Sequence, residues 1–223
     1  MTLKELRTNT EKYEGQKIAV EGTVIYNSNY TAHIVSYDSD TDMYYGMQVY
    51  YGYNSNLISV LSVGNKVRIV GTVSYYEAAG GYQISNLSYN MMRPDEPSNT
   101  KLISEGNYIE YPEIDMSTLT GKVKLTINGV EKTFDYMELA MNTGVCLKDL
   151  KVIDVCLSQS SSPKTTLTCQ ADDGSRIDII VDSDVSYLLG ETITVRGIIY
   201  KYMNTYQINC RKNDIDGVVD FVS

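Results

Sequence analysis

The chain has 223 residues, enough for two ordinary domains, and its 43% hydrophobic and 21% charged residues are typical of a globular rather than a disordered protein. The formal net charge is −9, and residues 1–97, 98–140 and 141–223 each contribute −3. This even acidity argues against a general DNA or RNA binder, which needs cations for phosphates, but leaves room for a local basic groove. No apolar run approaches the roughly 20 residues of a membrane-spanning helix.

The first 90 residues have the pattern of a short helix followed by five strands. Thr2 and Glu5 have the spacing of a capping box and predict a helix start. Alternating apolar and polar residues predict strands at Lys17–Val24, Ile34–Tyr37, Gly46–Tyr50, Gly64–Val73 and Tyr82–Ser85. The acidic turn Asp38–Asp42 joins the second strand to the third, and Asn54–Leu61 predicts a capped helical turn before the fourth.

The middle of the chain is harder to interpret. Arg93–Asn99 is polar and contains two prolines, which predicts a linker. Asn128-Gly129 between two alternating stretches predicts a hairpin at 122–134, which we expect to belong to the second half. The predicted domains are therefore residues 1–92, a linker over 93–121, and residues 122–223 with the hairpin at their start.

The second half repeats the pattern of the first. Asp135 and Glu138 form another capping box, and strands are predicted at Leu150–Leu157, Thr166–Gln170, Arg176–Val181, Gly190–Ile199 and Tyr206–Asn209. The stretch Gly190–Ile199 matches Gly64–Val73, with both glycines at the same offset, and Tyr206-Gln-Ile matches Tyr82-Gln-Ile. The loop between these two strands is two residues shorter in the second copy, and loops tolerate such length changes.

Five strands with a short helix between the third and the fourth is the order of an OB barrel. The segments Tyr13–Val24, Val63–Val73 and Tyr82–Ile84 resemble OB-fold repeats of exported bacterial proteins, including nucleic-acid-binding repeats beside secreted nuclease domains. The predicted fold class is thus all-β with short helices, as two OB-type five-stranded Greek-key barrels in tandem. The resemblance covers roughly residues 1–90 and 135–215, and together with the composition it implies an extracellular or cell-surface protein whose export signal is not in this chain.

No constellation of residues predicts catalysis. The single histidine, His33, is expected in a solvated or edge position at the end of the first loop, and Asp38–Asp42 imitates a calcium loop but has Met43 and Val49 where Gly and Glu are needed. The four cysteines have no C-x-x-C spacing, so no zinc site is predicted. Cys156 and Cys169 are expected to be neighbours, which allows either a disulfide or buried thiols. We predict a non-enzymatic protein without a metal or cofactor.

OB barrels bind ligands across their second and third strands, framed by the loops between strands one and two and strands four and five. The predicted binding residues of the first barrel are Tyr30, Tyr37, Tyr45, Tyr50, Tyr75 and Tyr76, with Lys66 and Arg68 for phosphates. The leading hypothesis is a docking module of an exported surface protein that binds a protein partner or an extracellular polymer. The alternatives are single-stranded nucleic-acid binding through tyrosine stacking and oligosaccharide binding.

Overall fold

The computed structural model describes residues 1–28, 30–93 and 95–216. The chain divides into two compact units. Unit 1 comprises Met1–Glu110 together with Leu139–Thr143, and unit 2 comprises Tyr111–Glu138 and Gly144–Ser223. Within the described ranges, no helix combines the length and apolar character that crossing a bilayer requires.

The described residues of unit 1 form one short α-helix and six strands. Its elements are α1 (Leu3–Thr8), β1 (Lys17–Asn27), β2 (Thr31–Asp38), β3 (Met43–Tyr50), β4 (Lys66–Tyr76), β5 (Gly81–Ser85) and β6 (Lys101–Ser104), with 3-10 helices at Thr10–Tyr13 and Ser55–Leu57. The predicted capped turn before the fourth strand is thus a single 3-10 helix, capped by the Asn54 side chain.

Five of these strands close into a ring in the order β1-β2-β3-β5-β4, with β4 pairing back onto β1. The β3–β5 pair is parallel and the other four pairs of the ring are antiparallel. This is the strand order of an OB barrel, so the predicted fold class is confirmed for unit 1. The ring encloses an apolar core that includes Val20, Ile34, Met47, Ile69 and Ile84.

Helix α1 packs against β1, β2 and β3 through its apolar side. The Thr2 hydroxyl accepts the Glu5 backbone N–H at 3.0 Å, as the capping box predicts. Leu3 and Leu6 are buried, and a Cβ at Gly22 would lie 3.1 Å from Leu3 Cδ1. Gly22 therefore lets the helix approach the barrel closely.

The linker predicted at residues 93–121 includes part of the first sheet. Lys101–Ser104 pairs antiparallel with the start of β4 as β6. Just before it, the buried Thr100 hydroxyl accepts the Val70 N–H at 3.0 Å and lies 3.3 Å from the Val70 carbonyl oxygen. Residues beyond 93 thus complete unit 1, which extends to Glu110.

Between Tyr111 and Asp216 the described chain forms two short helices and eight strands. They are α2 (Met116–Leu119), β7 (Lys122–Ile127), β8 (Val130–Asp135), α3 (Tyr136–Leu139), β9 (Gly144–Leu157), β10 (Thr165–Gln170), β11 (Arg176–Val181), β12 (Thr192–Tyr202), β13 (Thr205–Cys210) and β14 (Ile215–Asp216), with 3-10 helices at Ser186–Leu188 and Lys212–Asp214. The β7–β8 hairpin is a separate two-stranded sheet whose turn residues Asn128 and Gly129 both have positive φ, as predicted.

Unit 2 closes a second ring in the order β9-β10-β11-β13-β12, with β12 pairing back onto β9. Gly71 and Gly197 occupy equivalent positions in the two rings, and each faces an isoleucine on the neighbouring strand. A Cβ at Gly71 would lie 2.7 Å from Ile84 Cγ2, and one at Gly197 would lie 2.4 Å from Ile208 Cγ2. The predicted pair of OB-type barrels is confirmed.

The cysteines of unit 2 are all free. Cys169 is paired with Val152 and points into the core, whereas Cys156 is paired with Thr166 and is exposed. The expectation that these two cysteines are neighbours is wrong, because they lie at different positions of the ladder and on opposite faces. Burial raises the pKa of the Cys169 thiol to about 12, so this thiol is unreactive in the folded barrel.

Candidate functional site

A groove of about 770 Å³ lies on unit 1, over the outward side chains of β1, β2 and the start of β4. Strand register brings these strands together. Thr23 on β1 is paired with Val35 on β2 and with Lys66 on β4, and Glu21 is paired with Arg68. Because side chains two positions apart share a face, all five point away from the core. The groove therefore lies on the outward surface of the first barrel, where β1 runs between β2 and β4.

Two tyrosine rings form the aromatic wall of the groove. Tyr37 near the end of β2 is paired with Tyr44 on β3, and their ring centroids are 5.3 Å apart at an interplanar angle of 56°. Tyr37 is 53% exposed. Its hydroxyl donates to Asp42 at 2.5 Å, and this hydrogen bond raises the pKa of Tyr37, which keeps the ring neutral and fixes its position.

The cations of the groove differ in how strongly they are held. Lys4 Nζ donates to Asp38 Oδ1 at 2.9 Å, and this hydrogen bond raises the pKa of Lys4. Within the described part of the chain, Lys66 and Arg68 form no ion pair, although Glu21 lies opposite Arg68. The groove thus has two cations free to contact an anion, in a chain whose net charge is −9.

The other exposed tyrosines predicted for the site lie outside the groove. Tyr50 is paired with Thr31 at the opposite end of β2 and β3, and the ring of Tyr30 contacts that of Tyr53 with centroids 5.0 Å apart. Tyr75 and Tyr76 end β4, where the Tyr75 ring contacts Tyr82. The structure therefore brings together Tyr37, Lys66 and Arg68 of the predicted set.

Tyr45 does not belong to any exposed surface. Its side chain is fully buried in the barrel, and its hydroxyl donates to Thr41 at 3.1 Å. Burial raises the pKa of Tyr45. On β3 the inward residues are Met43, Tyr45, Met47 and Val49, so Tyr44 takes the outward position that was assigned to Tyr45.

His33 was expected to be solvated or at an edge, but it is 5% exposed within β2. It is paired with Gln48, and its ring meets the edge of Tyr26 with centroids 5.5 Å apart. Burial lowers the pKa of His33 to about 4, so the imidazole is neutral at physiological pH. The expectation was wrong because strand β2 begins two residues before His33.

Lys4 and Tyr44 are groove residues that the sequence prediction missed. The alternation of β3 contained the signal for Tyr44, since only one of two adjacent tyrosines can face outward. No local signal exists for Lys4, because only the packing of α1 brings it near β2. Over residues 1–28, 30–93 and 95–216, no three His, Cys, Asp or Glu side chains gather to hold a metal ion.

Ring order and groove together define the class: an OB-type barrel protein with a tyrosine- and cation-lined groove on the outward face of its first barrel. No known protein family and no curated protein matches the chain in sequence. The resemblance to exported bacterial repeats therefore stays a prediction.

Solved structures similar to this chain include complexes with DNA. The chain is similar to a murine DNA-binding protein bound to double-stranded DNA (9% identity, TM-score 0.39, covering 86% of this chain and 90% of that chain). It is also similar to fission yeast Pot1 with single-stranded DNA (8%, 0.33, 87% and 78%) and to a replication protein A heterotrimer bound to single-stranded DNA (9%, 0.30, 87% and 49%). These similarities are distant, and the fold assignment rests on the ring order.

Proposed function

We propose that unit 1 binds a short stretch of single-stranded nucleic acid in the groove, without catalysis. What supports the proposal is one coincidence: a ring pair, the exposed Tyr37 and the half-buried Tyr44, lies in the same groove as Lys66 and Arg68, two cations that form no ion pair with any described residue. Unstacked bases bind by stacking on aromatic rings while the backbone phosphates contact cations. A duplex hides its base faces, so the proposal is limited to single strands.

The binding should be modest and only weakly sensitive to salt. Stacking contributes about 1–3 kcal/mol per base, and two phosphate contacts predict a slope of about −1.4 in a plot of log affinity against log salt concentration. A general nucleic-acid binder has a much steeper slope. The net charge of −9 adds a long-range repulsion that confines binding to the groove.

The test is a fluorescence titration of labelled single-stranded DNA and RNA between about 50 and 200 mM salt. We expect Tyr37→Ala to weaken binding about tenfold, as loss of one stacking contact predicts, and Lys66→Ala to reduce the salt slope by about 0.7. Tyr75→Ala is the matched control, because Tyr75 is an exposed tyrosine of the same barrel outside the groove. Equal losses in Tyr37→Ala and Tyr75→Ala would contradict the proposal.

The same titration separates the other functions predicted from the sequence. If the protein binds a neutral glycan, and this binding is unchanged by salt and weakened in Tyr37→Ala, the result would favour an oligosaccharide ligand. No binding to oligonucleotide or glycan would favour a docking module that contacts a protein partner. The extracellular or cell-surface location stays a prediction, which detection of the native protein in culture medium or on cells would test.

A further inference from the structure

The segment Leu139–Thr143, which we call the strap, belongs to unit 1 although it is distant in sequence from the rest of that unit. Each of its five residues is at most 4% exposed. The Thr143 backbone N–H and hydroxyl donate to the Ala140 carbonyl oxygen at 3.0 and 2.7 Å, and Asn142 has a φ of 68°. The strap is therefore a defined turn.

The strap lies directly on the outward face of β3 and β5. Gly46 is an outward position, because it alternates with the core residues Tyr45 and Met47. A Cβ at Gly46 would lie 2.6 Å from the carbonyl carbon and oxygen of Asn142. A Cβ at Gly81 on β5 would lie 2.9 Å from Met141 Cε. Only glycine at position 46 leaves room for the strap backbone.

Polar residues beside this contact are also shielded from water. Gln48, the next outward residue of β3, is 6% exposed and donates to Gln83 on β5 at 3.2 Å. His33 is paired with Gln48 and lies diagonally across from Gly46. These side chains point away from the core, so exposure to solvent would be expected for them. The part of the outward face around Gly46, Gln48 and His33 is therefore covered.

We propose that the strap occupies, as an intramolecular ligand, the β3–β5 part of the face on which OB barrels bind, and thereby limits the length of single strand that unit 1 accepts. The proposal rests on the proposed function of the groove. The strap leaves the Tyr37–Tyr44 end of the face open. We therefore expect the site to be near the short end of the range for OB folds, about four nucleotides.

Two glycine variants form a matched pair for the test. Gly46→Ala places a methyl group against the strap backbone, which has to move, whereas Gly81→Ala meets only the flexible end of Met141. In the wild type and Gly81→Ala, affinity should stop rising beyond about four nucleotides. In Gly46→Ala it should continue to rise, and longer oligonucleotides should bind about tenfold more tightly than to the wild type, as one added stacked base predicts.

His33, the only histidine of the chain, lies diagonally across from the strap contact at Gly46, so its signal gives a second readout that does not depend on ligand binding. Its proton NMR signal should titrate with a pKa of about 4 in the wild type and move toward 6.5 in Gly46→Ala, while Gly81→Ala should stay near the wild type. Thr143→Val gives a second route if Gly46→Ala folds poorly. It removes the hydroxyl that closes the strap turn, leaves the barrel unchanged, and should shift both readouts in the same direction.

The outcomes separate the two proposals. Wild-type affinity that keeps rising with oligonucleotide length would overturn the role of the strap while leaving the groove function intact. A His33 pKa and a length limit that are unchanged in both Gly46→Ala and Thr143→Val would also overturn it. If no single-stranded oligonucleotide binds to any of these proteins, the proposed function fails, and length control fails with it.

Discussion

At the scale of single residues, burial of one imidazole connects the barrel to pH. His33 lies in β2 beside Gln48, and burial lowers its pKa from 6.5 to about 4. Below about pH 6.5 the His33 imidazole therefore becomes protonated in the unfolded chain, while it stays neutral in the folded barrel. Below about pH 4 His33 is protonated in both the folded and the unfolded chain, so the loss of stability does not grow further.

We expect the free energy of unfolding of unit 1 to fall by about 3 kcal/mol through His33 as the pH decreases from 7 toward 4, at about 1.4 kcal/mol per pKa unit. Urea denaturation of the wild type and of His33→Gln at both pH values measures this loss. Carboxylates titrate in both proteins. The contribution of the histidine is therefore the difference between the two plots of unfolding free energy against pH. Parallel profiles would contradict the prediction.

Sequence patterns identify outward tyrosines only where the strand register is known. Adjacent residues Tyr44 and Tyr45 are chemically identical in the sequence, yet one lines the groove and the other fills the core. A one-residue error in register exchanges the two faces, which explains why Tyr45 was predicted in place of Tyr44. Lys66 and Arg68 could be predicted as outward residues because they alternate with the core residues Val67 and Ile69.

At the scale of elements, a single buried hydroxyl attaches the residue just before β6 to β4. Thr100 Oγ1 lies within hydrogen-bond distance of both the N–H and the carbonyl oxygen of Val70, and Thr100 is fully buried. Thr100→Val keeps the shape of the side chain but leaves the Val70 N–H without this acceptor. We expect a loss of about 1–3 kcal/mol in the free energy of unfolding, with little loss in Thr100→Ser.

Amide hydrogen exchange at Val70 measures the effect of Thr100→Val locally. The amide should exchange faster in Thr100→Val than in Thr100→Ser, while the amide of Ile69 on the same strand reports whether the whole barrel has loosened. Equal exchange in the two variants would show that the hydroxyl does not hold this position.

Alternation and turn residues predict every strand of the two rings, because each ring strand has one face in a core. They do not predict β6 or β14. The Lys101–Ser104 segment has no buried apolar side chain, and β14 has only two residues, so both depend on backbone pairing with a neighbour. No local sequence pattern predicts the strap either, because the glycines that it packs against, Gly81 and Gly46, lie about 60 and 95 residues earlier in the chain.

At the scale of the whole molecule, the two barrels have separate natural probes. The single histidine lies in unit 1, and all four cysteines lie in unit 2. Cys169 is fully buried and Cys156 is exposed. Proton NMR of His33 and thiol labelling of Cys169 therefore report the two barrels independently.

We expect Gly71→Ala and Gly197→Ala each to destabilise their own barrel by about 1–3 kcal/mol, because the added methyl group is forced against packed atoms. Gly197→Ala should speed the labelling of Cys169 and leave the His33 signal unchanged. Gly71→Ala should change the His33 signal and leave the labelling of Cys169 unchanged. Cys156 should react at once in all proteins and serves as an internal standard. A change in both probes from either substitution would contradict separate cores.

Ring closure also determines how each barrel responds to force. In the described residues, each ring strand is held along two sides, as β1 is by β2 and β4, so a pulled strand cannot peel away by unzipping one side alone. The outer strands β6 and β14 are held along one side and should detach first, at low load. Stretching the chain in an optical trap should then show two abrupt ruptures, one for each barrel, rather than a gradual extension.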